Sequence, residues 1–153
     1  MASRLRQPCL LGLFLILLAT LGALIAGSEA GTGAPSGKPP YRSPVEVAFS
    51  PDGSHLAVSD RTGGVALLID PSTGTLTKEI SLRGQPGGLC WSPDSNRLYV
   101  AEYGEGTVAD IDIGKGRVTR RIGVGMYPRG LALADGGKLL LAANSASHTV
   151  SVV

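Results

Sequence analysis

Few side chains in this sequence are placed to do chemistry, and the sharpest of them is a carboxylate out of place. Asp110 lies in TVADID (Thr107–Asp112), a run that reads as a strand covered on both faces, and Leu68 and Val152 hold the equivalent position elsewhere. A carboxylate buried without a partner is costly, so it must take up a proton or find a cation. Buried groups of this kind can be functional. A local salt bridge to an arginine on an adjacent strand is the plainer reading.

Asp60, Glu102 and Asn144 share one position, just after a second strand. Arranged in a ring, they could hold a cation or a polar ligand. Acceptors for nearby backbone N–H groups in a turn would look the same. Arg129, with Tyr127 and Tyr103 in nearby turns, offers a cation and two aromatic faces as a candidate binding surface; solvated turn residues are the plainer reading here too. His55 follows a turn and His148 sits in one, and both read as exposed turn histidines. Nothing in the sequence has metal-ligand spacing, a C-x-x-C-H haem site, a Ser-His-Asp set or a phosphate-cradling glycine loop. No catalytic residue, metal or cofactor is therefore assigned in this stretch.

The elements that position these residues come from an internal repeat. Pro44, Pro86 and Pro128 recur every 42 residues, and the segments after them align without a gap: VEVAFSPDGSHLAVSD, GGLCWSPDSNRLYVAE and RGLALADGGKLLLAAN. VALLIDPSTGTLTKEI from Val65 then matches TVADIDIGKGRVTRRI from Thr107, and TVSVV from Thr149 begins the same motif. Within the first unit, Val45–Ser50, His55–Ser59, Val65–Asp70 and Thr75–Ser81 are rich in β-branched and aliphatic residues and read as strands. SPDG, RTGG and PSTG separate them as turns. Loops this short force antiparallel hairpins.

Alternation points Val47 and Phe49 one way, as it does Leu89 with Trp91 and Leu131 with Leu133, while the small residues Ala48, Cys90 and Ala132 point the other way. Large side chains of one sheet then fill space over small ones of the next, which makes Trp91 and Phe49 expected core. A four-stranded antiparallel sheet covered on both faces and repeated at a fixed period is a β-propeller blade. The expected fold is all-β: blade one over 45–86, blade two over 87–128 and an incomplete third over 129–153. Propellers close with about four to eight blades. The reading is thus of a fragment, whose apolar end faces need further blades or self-association to cover them.

The N-terminus reads as an export signal. Arg4 and Arg6 precede an unbroken apolar and small-residue run from Cys9 to Gly27, and Ser28-Glu29-Ala30 suits cleavage after Ala30. An uncleaved anchor is the alternative, since the run is just long enough to span a bilayer. Residues 31–44 are rich in Gly, Pro and Ser and read as a linker. After cleavage only Cys90 remains, so no internal disulfide can form. The net charge is +2, two of the cations lie in the leader, and no basic stripe exists for nucleic acid or lipid. Any membrane contact is expected through the N-terminal segment alone.

RLYVAE (Arg97–Glu102), TVADIDIGKGRVTRRIGVGMYPRGLAL (Thr107–Leu133) and SHTVSVV (Ser147–Val153) resemble the YVTN-type β-propeller repeat. The resemblance runs from Pro44 to the C-terminus. It implies an exported bacterial or archaeal protein, periplasmic, secreted or on the cell surface, and typically seven-bladed. It also implies that residues around the repeated proline, Arg129 among them, approach the mouth of the central channel. Such propellers serve as binding scaffolds or accompany cytochrome c and cytochrome c peroxidase-like domains. Two functions follow as expectations: a non-catalytic scaffold whose rim binds a protein, polymer or small ligand, or the propeller portion of a haem-containing redox enzyme. A hydrolase or lyase working in the channel is a third.

Overall fold

The computed structural model describes residues 41–153, so the leader, the Ala30 cleavage site and most of the linker lie outside the described residues. Among the described residues, eleven strands form three sheets. The first is β1 (Pro44–Phe49), β2 (Leu56–Asp60), β3 (Val65–Asp70) and β4 (Thr75–Ser81). The second is β5 (Pro86–Trp91), β6 (Arg97–Glu102), β7 (Thr107–Asp112) and β8 (Arg117–Gly123). The third is β9 (Pro128–Ala134), β10 (Leu139–Asn144) and β11 (Thr149–Val152), with a 3₁₀ turn at Asp135–Gly137. Within each sheet the strands pair antiparallel in chain order.

The first strands β1, β5 and β9 lie side by side, whereas the fourth strands β4 and β8 barely touch. Sheets that converge on one edge and splay on the other are radially arranged, as blades are. The protein has the β-propeller blade architecture that its repeat implies.

The turns repeat down to their hydrogen bonds. In SPDG, the Ser50 hydroxyl donates to Asp52 at 2.6 Å, and the Ser54 N–H donates to the same oxygen at 3.0 Å. In SPDS, the Ser92 hydroxyl donates to Asp94 at 2.6 Å, joined by the Asn96 N–H at 3.1 Å. Gly53 takes φ +72° and Ser95 takes the same left-handed corner at +59°. The Ser92 hydroxyl, with the Asn96 side chain and N–H, holds the Asp94 carboxyl at about 2. Asp52 is likewise held well below the usual carboxylate range, by Ser50 and then Ser54. A carboxylate depressed in the fold stabilises it above its unfolded pKa of about 4 and loses that contribution as pH falls towards 2. Asp94→Asn is therefore expected to give a shallower loss of unfolding free energy between about pH 4 and pH 2, read from urea melts across that range.

Packing between sheets follows the small-over-large alternation. The Trp91 indole reaches across to donate to the Ala48 carbonyl at 3.1 Å, and its ring packs with Leu89, Leu98, Val100, Ala57 and Leu68. Leu89 and Trp91 are 4% and 8% exposed. Phe49, expected in the core by its alignment with Trp91, is 62% exposed, because nothing among the described residues lies on that side of the first sheet. Val150 on the outer side of the third sheet is exposed to the same extent. His55 also departs from expectation. It is half-buried and stacks on the Trp91 ring at a centroid distance of 6.2 Å, so the blade contact rather than the turn decides its place.

Candidate functional site

One end of the blades carries both the linkers that enter each sheet and the turns between second and third strands. A backbone bond repeats there three times: Arg61 N–H to Ser43 O, Tyr103 N–H to Gln85 O, and Ser145 N–H to Tyr127 O. Each bond ties the turn of a blade to the linker feeding that same blade. Residues at these positions must therefore sit on one face, and the face is where the candidate residues fall.

Asp60, Glu102 and Asn144 lie just below it, at most 2% exposed. The Asp60 carboxylate accepts the N–H groups of Ser43 and Gly63 at 3.0 and 3.1 Å and pairs with Arg42 at 2.9 Å. Burial pushes Asp60 up, but the Gly63 and Ser43 N–H groups and the Arg42 guanidinium outweigh it and leave the carboxyl below its ordinary value. Glu102 accepts the Arg83 N–H and the Thr107 hydroxyl, both at 2.7 Å, and Arg121 Nε at 2.9 Å. The Asn144 amide donates to Thr149 and Ser151, and its buried Oδ1 has no partner. Asp60 and Glu102 are spent on tying linker to blade, Asn144 joins β10 to β11, and none of the three presents itself to solvent.

Asp110 is 1% exposed and is bracketed by Arg97 at 2.7 Å and Arg120 at 3.2 Å, one from β6 and one from β8. Both arginines keep their outer ends in water, with side chains 44% and 66% exposed. Replacing a buried ion pair by a hydrophobic side chain of similar size is often neutral or stabilising, because the desolvation cost of the carboxylate disappears. The blade already accepts a leucine at the matching position, Leu68. Asp110→Leu is therefore expected to leave the thermal midpoint unchanged or raise stability by about 1–2 kcal/mol, measured by denaturant melts; a loss of that size would mean the carboxylate is needed by the fold.

On the surface above Glu102, Tyr103 and Tyr127 stack with centroids 4.6 Å apart and ring planes within 11°. The Arg129 guanidinium lies 5.1 Å from the Tyr103 centroid and Arg61 lies 5.7 Å from it. Arg129 also donates weakly to the Tyr103 hydroxyl at 3.4 Å. The cluster thus runs across three consecutive blades: Arg61 from the first, Tyr103 from the second, Tyr127 from the linker into the third and Arg129 from its first strand. Arg61 was not singled out by sequence; its alignment with Tyr103 and Ser145 was the signal that could have found it.

Tyr127 carries a further mark. Its φ is +55°, a left-handed conformation that costs a bulky residue free energy and is normally left to glycine. Tyr127 is nevertheless 41% exposed, and the neighbouring Met126 is 61% exposed. Beside the two rings is a hollow of about 210 Å³, lined by Tyr103, Gly104, Glu105, Gly106, Met126 and Tyr127. Tyr103, Tyr127 and Arg129 are brought together; Asp110 belongs to a different, internal pairing.

Nucleophiles and metal ligands are not assembled among the described residues. No three of His, Cys, Asp and Glu there could share a metal ion. Burial, with a lesser push from Glu46, raises the Cys90 thiol to about 12, so it is protonated and inert at neutral pH. His148 is an exposed turn residue at φ +52°, and His55 is committed to Trp91. These residues do not fit a haem.

Solved structures resemble the chain strongly. Hydrazine synthase from Kuenenia stuttgartiensis matches with a TM-score of 0.72 and 29% identity over 83% of this chain. A structure described as a putative 6-phosphogluconolactonase from Bacteroides fragilis matches with a TM-score of 0.63 and 22% identity over 71% of this chain, a likeness of fold alone. Both are β-propeller-like, and the chain spans about a third of their length, 36% and 34%. No family model matches the chain. No curated protein matches it either.

Proposed function

We propose that this chain is an exported, non-catalytic β-propeller scaffold of the YVTN-like kind, which binds a polymer, protein or small ligand through the face carrying Tyr103, Tyr127 and Arg129. The observation that carries this reading is Tyr127: an aromatic residue held left-handed, stacked on a second tyrosine and still exposed. Glycine would hold the same left-handed backbone corner at lower cost. Strain retained at a surface aromatic fits a ligand contact. The apolar outer faces that include Phe49 and Val150 suit coverage by a neighbouring blade or a second copy of the chain. Export rests on the N-terminal sequence.

Binding of the full-length chain to an array of extracellular polymers and glycans would test it. Tyr127→Gly is expected to abolish the signal while unfolding free energy stays within about 1 kcal/mol of the parent, since glycine relieves the left-handed strain. Binding that survives the substitution would remove the site from the reading.

The likeness to hydrazine synthase favours a second reading, the propeller portion of an extracytoplasmic redox enzyme. The described residues would then contribute surface and shape, with the redox group held elsewhere. Co-purification of a haem protein with the chain, undisturbed by Tyr127→Gly, would favour it over the first.

A further inference from the structure

We propose that the second blade carries a second site, separate from the tyrosine face, which takes a phosphate monoester between Arg97 and Arg120. The repeat itself supplies the comparison, because the contact between the first and second blades shows the same positions filled.

In that first contact Trp91 closes the space. Its ring stacks on His55 and packs with Ala57 and Leu68, and its indole N–H donates to the Ala48 carbonyl. Lys78 spans the same contact and gives its ammonium to the Ile113 and Gly114 carbonyls at 2.7 and 3.3 Å. Between the second and third blades all of these side chains change. Leu133 stands at the position of Trp91, Arg97 at that of His55, Tyr99 at that of Ala57, Asp110 at that of Leu68 and Arg120 at that of Lys78. Where the first contact is filled, the second has a hollow of about 480 Å³, lined by Arg97, Tyr99, Asp110, Thr119 and Arg120. Another, of about 300 Å³, shares Tyr99 and Arg120 with it and has Leu133 and Lys138 in its wall. The first contact holds two sheets together with no carboxylate at this place, so packing alone does not call for the set.

The two guanidiniums converge on one small group. Arg97 Nη1 reaches Asp110 Oδ1 at 2.7 Å and Arg120 Nη2 reaches Oδ2 at 3.2 Å, so both already attain a single oxyanion. Each keeps N–H donors beyond the one spent there. Asp110 is thus a positioning residue, buried behind the pair and holding both heads at one hollow. Two cations against one carboxylate leave a net positive charge for an anion. Burial pushes the Tyr99 hydroxyl above its ordinary value, so it stays an O–H donor at neutral pH. The Thr119 hydroxyl, by contrast, is already given to the Asp110 carbonyl. Three donor side chains lining one hollow suit the three terminal oxygens of a phosphate monoester better than the two of a carboxylate.

Glycerol 3-phosphate and glycerate, titrated calorimetrically into the full-length chain, test this. The phosphate is expected to bind, and glycerate about tenfold or more weakly. Arg97→Gln and Arg120→Gln are each expected to weaken the phosphate about tenfold. Arg117→Gln, on the same strand as Arg120 but outside the hollow, is expected to change nothing. Leu133→Trp restores the residue of the first contact and is expected to abolish binding by filling the space. Urea melts accompany each variant, and if the tryptophan unfolds the chain the arginine variants decide alone. Vesicles of phosphatidic acid in phosphatidylcholine carry the same group on a lipid. Tighter binding to them than to glycerol 3-phosphate, lost in both arginine variants, would assign the phosphate to a headgroup; weaker binding would assign it to a free ligand. Glycerate binding as tightly as the phosphate overturns the proposal, as does phosphate binding that survives both arginine variants or falls equally in Arg117→Gln. Tyr127→Gly is expected to leave phosphate binding intact, so the two sites stand or fall separately.

Discussion

Gly88→Ala will destabilise the protein by about 3 kcal/mol, at the upper end of what overpacking a core costs. Gly88 lies in β5, at the bulge between Pro86 and Leu89 where the pairing with β6 slips. A Cβ built there would overlap the Arg129 carbonyl of β9 and press on the Glu46 carboxylate of β1. The obstacle on one side is backbone, so no rotamer change relieves it, and β5 would have to move away from β9. That spacing is where the three first strands converge, and opening it separates the blades at their common edge. Gly123→Ala in β8 is the control, since a Cβ there meets nothing within 4 Å. It is expected to change stability by no more than about 0.5 kcal/mol. Chemical denaturation of both variants decides the matter; equal stabilities would mean that β5 and β9 have room to part.

Arg121→Ala will cost a similar amount, about 3 kcal/mol, because removing one partner of a buried pair strands the other charge. Glu102 is 0% exposed and Arg121 Nε lies 2.9 Å from its Oε2. The Arg83 N–H and the Thr107 hydroxyl remain in the variant and limit the loss. Without the guanidinium, the linker entering the second blade and the turn carrying Tyr103 lose the group that neutralises their shared acceptor. Arg121→Ala is therefore expected to raise amide exchange at Tyr103 and Arg83 before the rest of the second sheet opens. Arg117→Ala, an exposed residue of the same strand, should do neither. A loss below about 1 kcal/mol would place Glu102 among pairs that solvent already screens.

Much of the fold was legible in the residues. The 42-residue period, the SPDG and SPDS turns and the alternation of large with small side chains gave the strands to within a residue, because turn chemistry and face alternation are local properties. The two bulges between third and fourth strands were not legible. They recur where Thr77 and Thr119 donate to the Leu68 and Asp110 carbonyls, which requires knowing how the strands pair. Phe49 shows the same limit from another side. It has the face preference of Trp91 but not its burial, since burial depends on which sheet lies opposite.

The candidate site was only half legible. Sequence singled out Arg129, Tyr127 and Tyr103, yet it could not show that two rings 24 positions apart would stack, nor that Arg61 from the first blade would join them. It set Asp60, Glu102 and Asn144 beside them as candidate ligand contacts. All three side chains turn inward, Asp60 and Glu102 to linker N–H groups and Asn144 to β11 hydroxyls, which only the positions of those groups reveal.

By itself, then, the sequence determined the unit: a four-stranded sheet, its turns, which residues point each way, and that such sheets must stack. Those follow from short-range backbone preferences and from the two-residue period of a strand. Tertiary structure alone decided which carboxylates are spent inside, which apolar faces are covered, and which side chains from separate blades meet. Such meetings depend on the angle and spacing between sheets, a property of the stacked blades together and of no single repeat.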